Sequence, residues 1–129
     1  MSTSQLHFAE SQHRPGQILQ VLLPNRTLPG HEQRDLWPYI LIADPSAVQP
    51  LLYPMLLVAP IISKRLSPIT LYPRLEAGAG RLPIASTVLL DQLMAIDAHR
   101  VRGYIGALSQ EEFAPIQAGL KRMFGFEEG

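Results

Sequence analysis

The chain has 129 residues, 47% of them hydrophobic, enough for one domain around one core and too few for two. Its 11 Lys and Arg balance 11 Asp and Glu, so no overall positive field draws it to nucleic acid, and any such contact must rest on a local basic patch. The absence of Cys removes disulfides, thiolate metal sites and cysteine nucleophiles together.

Residues 1–13 alternate polar and apolar side chains without a continuous apolar stretch of signal-peptide length, and they are read as a flexible tail. Arg14-Pro15-Gly16 is a turn signal, and residues 17–23 after it are rich in strand formers with partial alternation, predicting the first strand. Two prolines, an asparagine and a glycine among residues 24–30 favour neither a ladder nor a helix, so a long loop begins there. Residues 39–43 are apolar throughout, as a strand buried on both faces requires, and Asp44-Pro45 ends it.

Pro45, Pro50 and Pro54 limit the next stretch to turns, and residues 55–62 again read as a buried strand. The longest apolar run, residues 48–62, is too short and too broken by Pro50, Pro54 and Pro60 to span a bilayer, so a soluble protein is expected. Ser63-Lys64-Arg65 follows, with two adjacent cations beside a hydroxyl. Residues 69–75 alternate loosely and suit an exposed strand, and Glu76-Ala77-Gly78-Ala79-Gly80 makes a turn.

Residues 87–96 are ambiguous, because Val88, Leu89, Leu90, Leu93, Met94 and Ile96 suit either a short helix or an irregular strand. Residues 103–108 predict the last strand. Ser109, with Glu112 three residues on, is a capping-box pattern for a terminal helix whose apolar face is Phe113, Ile116, Leu120, Met123 and Phe124. Pro115 inside that pattern means that the helix either restarts there or kinks. Small strands, two long loops and one helix predict a mainly β fold with accessory helices, an α+β arrangement. The expected organisation is a single domain over residues 14–126 with tails at 1–13 and 127–129.

Three fragments carry a family resemblance. They are Gly30-His31-Glu32-Gln33 with Trp37-Pro38 and the apolar strand behind it, Val58-Ala59-Pro60-Ile61-Ile62-Ser63, and the run from Ser86 to Asp97. In this order and spacing the chain resembles the MazF/PemK-type toxins of type II toxin–antitoxin systems, over residues 16–125. The resemblance implies a small SH3-like antiparallel barrel of the MazF/CcdB type with a C-terminal helix. It also resolves the ambiguous stretch as a strand over residues 87–95 followed by a helical turn at 98–101. It further implies a cytoplasmic homodimer that cuts single-stranded RNA at specific sequences without a metal or other cofactor, and that a cognate antitoxin silences.

Metal-free RNA cleavage needs a base for the 2′-hydroxyl, a donor for charge growing on the phosphate, and an acid for the leaving 5′-oxygen. The family relies on an Arg and a Thr whose places here are Trp37 and Ile62, and a further family Arg falls at Leu89. The expected activity is therefore altered or weakened. Candidates to rebuild the site are His31, whose ordinary pKa near ~6.5 suits acid–base work, Arg34, whose side chain can reach toward position 37, and Ser63. Lys64 and Arg65 are candidate phosphate ligands, Trp37 a candidate base-stacking platform, and Asp91 a positioning residue. Each has a plainer reading: His31 as a turn residue, Arg34, Lys64 and Arg65 as solvated charge, Trp37 as core or interface, Asp91 as a turn cap or a partner of Arg81.

The resemblance leaves two alternatives open. The CcdB toxins share the barrel and poison DNA gyrase without RNA chemistry, and Leu71-Tyr72-Pro73 together with residues 116–125 looks like their segments. An inactive toxin fold that binds an antitoxin is the other. The four His, at positions 7, 13, 31 and 99, have no metal-ligand spacing, so no metal site is expected.

Overall fold

A computed structural model describes residues 13–23, 36–67 and 69–126. Its strands are β1 (Gln17–Leu22), β2 (Leu36–Ala43), β3 (Met55–Ile62), β4 (Arg74–Leu75), β5 (Ser86–Val88), β6 (Met94–Asp97) and β7 (Val101–Ala107), followed by helix α1 (Gln110–Phe124). All pairings are antiparallel, in the order β4-β5-β3-β2-β1-β7 with β6 also on β3, and the resulting sheet curls into a half-barrel carrying α1.

The first turn is anchored toward both neighbours of β1 in the sheet. Gly16 has φ +94°, a left-handed conformation that suits a residue without Cβ. Its N–H donates to the Leu41 carbonyl at 2.8 Å, and its own carbonyl accepts from Leu108 at 2.9 Å. The Gln17 side chain accepts from the Arg14 N–H at 3.0 Å. The segment entering β1 is thus tied to β2 and to the end of β7.

Period-two alternation gives this sheet two buried faces. On one, Ile18, Ile40, Ala59, Ile61, Val88 and Leu90 meet Ile116 of α1; on the other, Leu19, Val21, Tyr39, Leu41, Leu56, Val58 and Ile96 form a second cluster. The predicted central strands are observed here, and Tyr39, Ile40 and Leu41 are all buried. Residues that are apolar on both faces are what a strand covered from both sides requires.

Pro60 sits inside β3 and marks the place where its outer edge changes partner. Below it, Leu56 faces Ile96 and Val58 faces Met94; above it, Ile61 faces Val88 and Ile62 faces Thr87. Proline has no N–H to give to a ladder, while its carbonyl accepts from Leu89 at 3.0 Å. The facing chain spends the extra residues in a 3-10 turn, Leu90–Gln92. The continuous strand expected over residues 87–95 is therefore two short strands joined by a turn. The helical turn expected after it is a 3-10 turn at Ala98–Arg100, capped by the Asp97 side chain.

The exposed strand expected over residues 69–75 is also reduced. Only Arg74–Leu75 is strand, because Tyr72 turns back to the Ile69 carbonyl at 2.9 Å and Pro73 has no donor to offer. The carbonyls of Leu71 and Pro73 still accept from Leu90 and Val88, which holds this segment against β5.

Helix α1 begins at the predicted capping box. Ser109 Oγ accepts from the Glu112 N–H at 3.1 Å, and Glu112 Oε1 accepts from the Ser109 N–H at 2.9 Å. Pro115 lies within one helix rather than starting a new one, so the Glu111 carbonyl loses its intrahelical partner. Gly125, at φ +76°, closes the helix, and Phe126 N–H reaches the Lys121 carbonyl at 2.8 Å. Gly119 is required by proximity: a Cβ there would stand 2.7 Å from both the Thr70 carbonyl oxygen and Leu90 Cδ1. No helix among the described residues is long and apolar enough to cross a membrane.

Candidate functional site

The register of β2 and β3 defines one end of the sheet. Tyr39 faces Pro60 and Ile40 faces Ala59, so the same register continued puts Trp37 level with Ile62. Alternation places both on the face that carries Tyr39 and Val58. Leu22 ends β1 opposite Leu36 at the same end. His31 and Arg34 lie outside the described residues.

Trp37 is half-buried, faces Val21 of β1 and packs against the second core cluster. The indole is thus partly core, the plainer of its readings, with part of its surface left to solvent. Ser63, Lys64 and Arg65 are all exposed directly after β3. Their turn is held from below: Thr87, 1% exposed, donates its hydroxyl to the Lys64 carbonyl at 3.1 Å. Burying a hydroxyl without a partner is costly, so this bond fixes the backbone that presents the two cations.

Asp91 belongs to the 3-10 turn after β5 and is exposed. Its carboxylate accepts from the Tyr72 hydroxyl at 2.9 Å, and this tyrosine, not Arg81, is its partner. The hydrogen bond to Asp91, then the carboxylate charge, then desolvation raise the Tyr72 phenol above its ordinary value. A second acidic turn, at Asp97, has a different character. Asp97 accepts from the His99 N–H at 2.8 Å and lies 2.6 Å from Nδ1 of the same residue. The His99 backbone bond first, and the side-chain bond next, hold its carboxyl below the usual range. That arrangement is a cap, outside the β2–β3 end.

The fold therefore brings Trp37, Ile62 and Ser63-Lys64-Arg65 to one end, and docks Asp91 with Tyr72 on the segment packed beside β5. Thr87 and Tyr72 were missed as members of this group by sequence reasoning. The signal for Thr87 was a hydroxyl inside an apolar run, which needs a hydrogen-bond partner when buried. No group of three or more His, Asp or Glu able to hold a metal ion occurs among the described residues.

The sequence profile of the PemK-like, MazF-like toxins of type II toxin-antitoxin systems matches residues 14–124. The chain belongs to that family. Solved structures agree on the fold of this MazF-like chain. A mycobacterial endoribonuclease in complex with its cognate antitoxin superposes with a TM-score of 0.67 at 12% identity, covering 91% of this chain and 99% of that one. The Mycobacterium tuberculosis toxin MazF-mt6 gives 0.66 at 20% identity, covering 89% and 100%. MazF in a MazE-MazF complex from Deinococcus radiodurans gives 0.64 at 14% identity, covering 88% and 95%. No curated protein matches the chain in sequence.

Proposed function

We propose that this MazF-like chain is the toxin of a toxin–antitoxin pair and acts as a metal-independent, sequence-specific endoribonuclease of altered catalytic make-up. The observation that carries the reading is the family match over residues 14–124, with a basic, hydroxyl-bearing turn at the very end of β3. In the reaction a base takes the 2′-hydroxyl proton and the 2′-oxygen attacks phosphorus. The P–O5′ bond then breaks as the 5′-oxygen receives a proton, leaving a 2′,3′-cyclic phosphate.

His31 serves as the acid–base group, and Arg34 and Lys64 hold the phosphate oxygens as charge builds on them. Ser63 donates to the same oxygens, Arg65 binds a neighbouring phosphate, and Asp91 positions the chain. The exposed part of the Trp37 ring supports a base. The mycobacterial endoribonuclease solved with its antitoxin supports an antitoxin as this chain's protein partner. A homodimer and a cytoplasmic setting are part of the same proposal.

The test is incubation of the purified, antitoxin-free protein with a long mixed-sequence RNA in EDTA, read by primer extension. Discrete cuts are the expected result, and intact RNA overturns the reading. One observation favours a second reading, a gyrase poison of CcdB type. Phe124 and Phe126 stack at 5.8 Å between ring centroids and are 52% and 73% exposed at the end of α1. Phe124→Ala would abolish toxicity under that reading and spare it under the first.

A further inference from the structure

A cleft of about 780 Å³ runs along β1 and β7, lined among others by Arg14, Gln17, Leu19, Arg102 and Tyr104. Gln17 and Leu19 share one face of β1, and a register shift between Ile18 and Leu19 sets Ala107 and Tyr104, three residues apart on β7, opposite them, so these pairs line the cleft together. Among the described residues no carboxylate lines it. Arg14 and Arg102 are exposed, and among the described residues neither is paired with an acid. In a chain of zero net charge, two arginines without an acidic neighbour among the described residues are a local excess.

Tyr104 of β7 is 59% exposed and lines the same cleft. The backbone that carries Arg14 is rigid, being bonded through Gly16 to Leu41 and to Leu108. The cations continue at Arg100, whose guanidinium reaches the Leu22 carbonyl at 3.5 Å, at the end of β1 nearest the β2–β3 site. From Gln17 to Leu22 that strand spans about 17 Å at ~3.4 Å per residue, and Gly103 and Val101 of the cleft face Gln20 and Val21 near its far end, so the cleft leads from the Gly16 turn toward the β2–β3 end.

We propose that this cleft is a second nucleic-acid surface, which holds single-stranded RNA beyond the cut site with Arg14 and Arg102 on phosphates and Tyr104 under a base. The choice of RNA rests on the ribonuclease reading. Guanidinium forks match phosphate oxygens in pairs, and an exposed ring between cations is the common platform for unpaired bases. An acidic peptide added as a strand would have to use the edge of β7 that no described strand pairs, whereas this cleft opens on the face of β1 and β7.

The test is fluorescence anisotropy with a 2′-O-methyl oligouridylate, which has no free 2′-hydroxyl and cannot be cut, between about 50 and 200 mM salt. The double variant R14A/R102A should bind more weakly and lower the salt slope by about 1.4, from two lost phosphate contacts at ~0.7 each. Tyr104→Ala should weaken binding roughly five- to hundredfold. Lys121→Ala, a cation on α1 outside the cleft, should bind as the wild type does.

Unchanged binding in R14A/R102A and Tyr104→Ala overturns the proposal, as does tighter binding of polyglutamate than of the oligouridylate. So does a change in the protein's mass in solution, which would assign these residues to contacts between copies. If the oligouridylate binds through Arg14 and Arg102 while long RNA stays uncut, the ribonuclease reading fails alone. If long RNA is cut while binding ignores both arginines, the second surface fails alone.

Discussion

The two sides of β3 are built on different terms. On its inner side β2 runs beside it with Leu41, Ile40 and Tyr39 facing Val58, Ala59 and Pro60, all of them buried. On its outer side the pairing is cut into β6, a 3-10 turn and β5, and it ends at Ser63, Lys64 and Arg65 in solvent. The inner side holds the molecule together through apolar contact. The outer side gives up ladder regularity at Pro60, and polar groups are presented where it does so. The best-buried pairing and the candidate cations Lys64 and Arg65 are thus assigned to different parts of one strand, so substitutions in the two should separate stability from cleavage.

The largest effect on stability belongs to the inner side. Ile40→Ala should cost about 2–5 kcal/mol, because a fully buried side chain leaves a cavity in the cluster that contacts α1. Urea unfolding measures this, and a loss below 1 kcal/mol would mean that the inner side is not the stable one. On the outer side, Thr87→Val should cost about 0.5–1.5 kcal/mol, since only the bond to the Lys64 carbonyl is lost and that carbonyl can turn to water. Because Thr87 fixes the turn at 63–65, its removal should lower RNA cleavage more than its stability cost implies.

Lys64→Ala should shift stability by less than about 0.5 kcal/mol, as an exposed residue does, while cutting cleavage roughly tenfold or more if it binds a phosphate that gains charge. Equal losses of both properties would erase the distinction between the two parts.

The smallest effect concerns the Asp91–Tyr72 contact. The Tyr72 phenol is raised in the fold, so its contribution to stability is complete below the unfolded value near 10 and disappears as pH rises through the folded one. Asp91→Asn should bring the Tyr72 midpoint down toward the ordinary value in an NMR titration. An unmoved midpoint would remove Asp91 as the cause.

The same division explains what the sequence made legible. The segments around Ile40 and Val58 were readable because a strand covered on both faces is apolar in every position, and the one around Ile18 because a turn signal precedes a run of strand formers. The helix was readable because Ser109 and Glu112 write its start. Residues 86–97 were not, because Val88, Leu90 and Met94 are apolar in a strand and in a turn alike, and the slip at Pro60 depends on a partner strand far away in the chain. Lys64 and Arg65 stood out beside Ser63 as neighbours in sequence. Thr87 carried one local signal, a hydroxyl in an apolar run, but its partner Lys64, the contact of Tyr72 with Asp91 and the placing of Arg14 and Arg102 along one cleft arise only on folding.

The proposed ribonuclease would cut RNA at the end where Trp37 and Ile62 stand level on one face. Primer extension on the double variant Trp37→Arg/Ile62→Thr, beside the wild type in EDTA, tests it most directly, since a gain of activity cannot come from lost folding. Supplying an arginine and a hydroxyl where a phosphate would gain charge should raise the cleavage rate by about a hundredfold. A folded double variant that cuts no faster than the wild type would contradict the placement of the site.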